Sequence, residues 1–291
     1  MSNGLPTSLH GLVDDAAVFP PGNAPLTDAV RAHTAYREEP WAALVGPLVV
    51  ADDHLPQLLA LGTPTEVSVV VSGGAGALEG TVEWARRDGL LDLRGLEIAL
   101  RDSASGELAH NARRIVTAVD QLVGSGALDD EVPVHVEMPR LYGDPPTPDW
   151  FGALDELAAA DLRVKLRTGG PNPEAFPLAH ELAGSIAAAL DRELAFKCTA
   201  GLHHALRHRD PSTGFEHHGF LNVLTATRAS LDGASVDEVA AVLEETDAAR
   251  LLSASDETGR AGARRWFRSF GSCSVREPLD DLTALGLLEA S

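Results

Sequence analysis

Two lysines stand alone among the 23 basic residues of this 291-residue chain. Lys165 lies in "LRVKLRTGG" and Lys197 in "LAFKCTAGL"; every other basic residue is arginine. An arginine cannot serve as a nucleophile, because its guanidinium stays protonated. A lysine attacks a carbonyl as the neutral amine, and burial or a neighbouring cation moves it toward that form. Two lysines at matching points of two similar segments divide this work: one is the nucleophile and the other holds a positive charge beside it. The alternative is that both only grip an anion, a task arginine does equally well. The general excess of arginine over lysine reflects base composition and not function.

The elements that must position these lysines are short β-branched runs alternating with helix-like stretches. The runs are Asp14–Phe19, Gly46–Ala51, Glu66–Ser72, Gly95–Arg101, Val132–Met138, Arg163–Thr168, Leu194–Thr199 and Gly219–Thr225. Between them lie stretches such as "NARRIVTAVDQLVGSG" and "DWFGALDELAAA", whose apolar residues recur at three and four. Eight strand–helix units of this size predict a (β/α)8 TIM barrel, residues 1–291 as a single domain, with a C-terminal helical extension over about 248–291 packed on the barrel. A doubly wound open sheet is the rival. It lacks support, since "FPPGNAPL" and not a G-x-G-x-x-G loop follows the first run. No cofactor is therefore implied.

Alternation assigns the faces of each strand. With Leu96, Ile98 and Leu100 toward the helices, Glu97 and Arg101 point inward. By the same rule so do His135 and Glu137, Lys165 and Arg167, and Lys197 and Thr199, with Asn222 as the inward polar residue of the last strand. Four neighbouring strands thus aim seven ionisable groups at the C-terminal end of the barrel, where such enzymes keep their sites. Four of these are cations and two are carboxylates, with His135 neutral. A locally positive pocket in a chain of net charge −20 points to a small anionic metabolite as partner. The same net charge excludes nucleic acid.

The segment Lys165-Leu-Arg-Thr-Gly169 resembles the K-x-x-T-G segment on the sixth strand of deoxyribose-phosphate-type class I aldolases. Lys197-Cys-Thr-Ala-Gly-Leu202 is similar to the same family's K-x-x-G-G-I segment on the seventh strand. The resemblance implies that Lys165 forms a Schiff base and that Lys197 assists it. Glu137, in "HVEM", resembles the family's acidic fifth strand less closely. Arg167 and Ala200 depart from the pattern, and no counterpart of the family's proton-relay aspartate is apparent. Four longer segments, "LVDDAAVFPPGNAPL", "FKCTAGLHHALRH", "HGFLNVLTA" and "FGSCSVREPLDDLTALGLL", resemble an uncharacterised bacterial family. That likeness supports a cytoplasmic single-domain protein and implies no activity.

His203 and His204, after the seventh strand, are candidate acid–base groups, or metal ligands with His135 and Glu137. No H-E-x-x-H accompanies them, so no metal site is assigned. Gly169 and Gly170 are candidates to cradle an anion beside Arg167. One of Asp14 and Asp15 faces inward, but alternation does not say which. Arg264–Pro278 mixes basic and aromatic residues and reads as a solvated helix with its aromatic face on the core, or as a contact in a homo-oligomer. No apolar run is long enough for a membrane span, and the N-terminus lacks the look of a signal peptide.

Three functions follow. The first is a Schiff-base lyase acting on a small anionic carbonyl compound. In it Lys165 forms the imine, Lys197 depresses its pKa, Glu137 and His135 move protons, and Arg101 and Arg167 hold the anion. The second is a metal-dependent lyase, isomerase or hydrolase using Glu97, His135, Glu137 and a loop histidine. The third is a non-catalytic barrel that binds an anionic metabolite.

Overall fold

Eight parallel strands close into a barrel in a computed structural model that describes residues 5–101 and 107–289. The strands are β1 (Val13–Asp15), β2 (Val45–Ala51), β3 (Thr65–Val71), β4 (Leu91–Ala99), β5 (Val134–Glu137), β6 (Arg163–Arg167), β7 (Phe196–Thr199) and β10 (Phe267–Ser272). Each pairs with its chain neighbour, and β10 closes the ring between β7 and β1. A two-stranded hairpin, β8 (His208–Arg209) with β9 (Glu216–His217), stands outside it. The (β/α)8 TIM barrel expected from the sequence is the fold.

The outward alternation is as expected. Val67, Val69, Leu96, Ile98, Val134, Val136, Val164, Leu166, Phe196 and Cys198 are all buried against the helix layer. That layer comprises α1 (Leu26–Tyr36), α2 (Leu55–Ala60), α3 (Leu78–Arg86), α4 (Leu108–Gly124), α5 (Pro148–Ala159), α6 (Ala179–Leu190), α7 (Phe220–Leu231), α8 (Val236–Glu244), α9 (Ala248–Ala254), α10 (Glu257–Ala263) and α11 (Arg276–Ala284). The helices start where local chemistry permits. The Thr147 hydroxyl accepts the Trp150 amide ahead of Pro148, and Ser235 with Glu238 forms a reciprocal capping box.

Two expectations are corrected at the end of the chain. Gly219–Thr225 is not a strand: Gly219 precedes α7, whose residues Phe220 to Thr227 are buried on every side. A helix enclosed all round has no polar face, so its sequence reads like a buried strand. The eighth strand is Phe267–Ser272, and the segment from 248 onward therefore carries the closing strand and is not an extension laid on a finished barrel. Arg264–Pro278 is accordingly no solvated helix. Its two phenylalanines are buried, but as parts of a strand: Phe267 stacks on Phe196, and Phe270 on Phe220. No helix of the described residues is long and apolar enough to cross a membrane.

Candidate active site

Barrel interiors are ordinarily filled with branched apolar side chains. This one has a chain of charges through its middle. Lys197 Nζ lies 2.6 Å from Asp14 Oδ2 and 2.5 Å from Glu97 Oε1. The other oxygen of Glu97 is 2.9 Å from Lys165 Nζ, which also reaches Glu137 Oε2 at 3.0 Å. Arg167 Nε ends the chain at 2.7 Å from Glu137 Oε1. Hydroxyls secure two of the carboxylates: Ser68 donates to Glu97 at 2.9 Å and Ser269 to Asp14 at 2.6 Å.

These contacts follow from register. Glu137 stands beside Lys165, Lys165 beside Lys197, and Arg167 beside Thr199 in neighbouring strands. Equal-height positions on adjacent parallel strands bring inward side chains together in pairs. Of the two aspartates left undecided by alternation, Asp14 turns inward to Lys197. Asp15 turns outward, 3.1 Å from His33 Nδ1 on α1.

The electrostatics sort the groups into roles. Burial works against the Lys197 ammonium, yet Asp14 and Glu97 outweigh it and hold the lysine protonated above its ordinary value. Burial would raise Glu97, but Lys197 and Lys165 overcome it and keep the carboxyl well below the usual range. Glu137 is lowered in the same way, with Lys165 and Arg167 outweighing burial. Asp14 differs: burial pushes its carboxyl up, and Lys197 and Ser269 offset this only in part. Glu97 is therefore the fixed anion and Asp14 the weaker acid of the pair around Lys197.

The site opens at the C-terminal ends of the strands into a cavity of about 780 Å³. Glu97, Glu137, Lys165, Arg167, Lys197 and Thr199 line it, so strand alternation brought together six of the expected residues. Arg101 lines it from the rim, exposed, its guanidinium donating to the Ser72 carbonyl. His203 and His204 reach it too, each tethered by its Nδ1 to α11: His203 to Glu277 at 3.0 Å and His204 to Asp281 at 3.1 Å. Gly170 also lines the cavity, but Gly169 does not. A Cβ on Gly169 would lie 2.7 Å from Gly201 Cα, so that glycine serves the close approach of two strand ends and cradles no anion.

Three further expectations fail. His135 lines no part of this cavity; its ring belongs to a second space at the opposite mouth. Asn222 sits on α7, where its carbonyl accepts the Arg207 amide and its amide donates to the Val242 and Glu245 carbonyls. It is a buried tie between segments and not an inward strand residue. The local excess of positive charge also shrinks. Asp14 adds a third carboxylate, and the two lysines meet through Glu97 instead of facing each other directly.

What alternation missed is the wall over the cavity. The β8–β9 hairpin brings His208 and His217 together at 5.1 Å between ring centroids, with Phe176 4.4 Å from His217 and 5.5 Å from Phe215. All four rings line the site. Two-residue strands have no periodicity to read, so alternation cannot place these histidines. Nearby, Ala200 holds φ +62° and Gly201 +75°. The left-handed backbone at a non-glycine residue is uncommon and is found most often at turns and functional sites.

A metal does not fit these residues. Glu97 and Glu137 are each engaged by two cationic side chains, and His135 faces away from them. Among the described residues no group of three or more His, Cys, Asp or Glu side chains is arranged to hold a metal ion.

No protein-family model matches the chain, and no curated protein does. Among solved structures it is similar to a "putative deoxyribose-phosphate aldolase" from Toxoplasma gondii ME49. The two share 14% sequence identity over 96% of this chain and 92% of that one, with a TM-score of 0.48.

Proposed function

We propose that the chain is a Schiff-base lyase of the class I aldolase kind, acting on a small carbonyl compound that carries an anionic group. The observation that carries this reading is the Lys165–Glu97–Lys197 bridge at the floor of the open cavity. The resemblance of both lysine segments to the aldolase motifs supports it independently.

Lys165 is the nucleophile. Its ammonium passes a proton through Glu97 and Lys197 to Asp14, the weaker acid, so that Glu97 is an anion again and stays hydrogen-bonded to Lys197. The free amine adds to the substrate carbonyl, and the carbinolamine loses water to leave an iminium. In the cleavage direction a base removes the proton of the β-hydroxyl, the carbon–carbon bond breaks, and its electron pair is taken up by the iminium as an enamine. Glu137 and the Lys197–Glu97 pair carry these protons. Arg101 and Arg167 meet the anionic group, and the Phe176, Phe215 and His217 rings cover the rest of the substrate. Lys197 thereby becomes a proton partner reached through Glu97, in place of a cation that acts directly on Lys165.

Borohydride trapping tests the reading. The protein is incubated with a panel of small aldehydes and keto acids, reduced, and digested. With two lysines in the chain, peptide mass assigns the adduct. Reduced adduct on Lys165, absent in Lys165→Arg, is the expected result. No adduct across the panel, or an adduct that persists in Lys165→Arg, would overturn it.

A further inference from the structure

The barrel has a second cavity at its N-terminal mouth, of about 620 Å³, where the first residues of the strands converge. Lys197 and Asp14 form its inner end, Ser68, Ser269 and His135 its walls, and Arg163 and Arg268 its rim. Two features of it lack explanation within the fold. His135 is only 6% exposed, and neither of its ring nitrogens has a partner among the described residues. Burial, then the Lys197 charge, pushes the ring well below the ordinary histidine range, so it is neutral, with one donor and one acceptor to satisfy. A buried polar group left unmet carries its full desolvation penalty, so the contents of the cavity must meet them.

The second feature is the arginine pair. Arg163 makes no ion pair or side-chain hydrogen bond with any described residue, and Arg268 only a 3.4 Å contact to the Arg264 carbonyl. The other arginines of this mouth are engaged: Arg94 by Glu66 and Asp92, Arg86 by the carbonyls of Gly126 and Ala127. Asp129 and Glu131 also line the rim, and Asp129 accepts the Glu131 amide. Burial and then the Arg268 charge lower the Arg163 guanidinium from its ordinary value, Asp161 offsetting this only in part, and an anion between the two arginines would relieve the repulsion. In a chain of net charge −20, two unmatched guanidinium groups beside a polar cavity are a specific arrangement.

We infer that this mouth is a second ligand site, for a small oxyanion bearing neutral hydroxyl groups. Arg163 and Arg268 hold the anion by charge-assisted hydrogen bonds. His135, Ser68 and Ser269 receive the hydroxyl-bearing part. Because Lys197 lines both cavities and Asp14 the second, the ligand sits against the back of the lysine relay without entering the substrate pocket. The inference stands on residues other than Lys165 and does not depend on the lyase reading.

Calorimetric titration with inorganic phosphate and with glycerol 1-phosphate tests it. Saturable binding is expected in the native protein and in Arg167→Gln, which alters only the upper pocket. In Arg268→Gln, at an exposed side chain that makes no ion pair with any described residue, both affinities should fall by about tenfold or more. His135→Phe should weaken glycerol 1-phosphate severalfold and leave inorganic phosphate unaffected. No saturable heat with either compound, or binding that survives Arg268→Gln and disappears in Arg167→Gln, would overturn the site.

Discussion

Glu97→Gln perturbs the one side chain that touches both lysines. The amide is isosteric with the carboxyl but uncharged, and one of its two ends is a donor. If its oxygen keeps Ser68 and Lys197, its nitrogen faces the Lys165 ammonium 2.9 Å away, donor against donor. Glu97 is 2% exposed, so solvent cannot repair the loss. Breaking a buried ion pair from one side costs about 3–5 kcal/mol. Unfolding entropy near about 2.1 cal/mol/K per residue makes that about 5–8 °C in melting temperature for a chain of this length. The sign with pH is fixed by the direction of the Glu97 shift. A carboxyl held below its unfolded value contributes stability that is complete above that value and lost as pH falls through the folded one. The difference between native and variant should therefore be full at pH 7 and shrink below about pH 4. Thermal melts of both proteins across pH 3–8 measure it. Equal melting temperatures at pH 7, or a gap that widens on acidification, would refute the reasoning.

His218 offers a test remote from the site. It is fully buried, donates from Nε2 to the Pro177 carbonyl at 2.8 Å, and burial lowers it to about 4. The unfolded chain binds this proton near pH 6.5 and the folded chain does not, so stability falls as pH drops from about 6.5 to 4, by up to about 3 kcal/mol. Urea titrations should show that slope reduced in His218→Gln; an unchanged slope would exclude His218 as its source. Gly201→Ala should destabilise by about 1–3 kcal/mol from its left-handed φ, and further because the new Cβ would lie 2.8 Å from the Thr168 carbonyl oxygen. A melting temperature equal to the native one would count against the tight approach of β6 and β7 at the site.

The barrel was legible because strands β3 to β7 obey a period of two with apolar outer faces, and that same period delivered the ionisable groups of β4, β6 and β7. It failed where periodicity carries no information about height. His135 and Glu137 share a face of β5, but one opens on each end of the barrel, and only the tilt and stagger of the strands decide which. Asn222 was misplaced because α7, enclosed on all sides, has the composition of a buried strand. The true last strand, "FRSFGS", has no β-branched residue, and its pairing with β7 shifts register between Phe267 and Phe270. Asp14 hid behind an adjacent Asp15 that no pattern could separate from it.

The position of β10 bears on how the polypeptide reaches its native state. Val13 pairs with Phe270, so ring closure joins two strands far apart in sequence and waits until β10 has been synthesised. Until then β1 and β7 both present unpaired strand edges, the kind that templates association between chains. Four helices, α7 to α10, intervene between β7 and the closing strand, and α7 stacks Phe220 on Phe270. Those helices are therefore synthesised before the final strand docks between β7 and β1. Truncation before Phe267 would remove that strand and leave the ring open between β7 and β1.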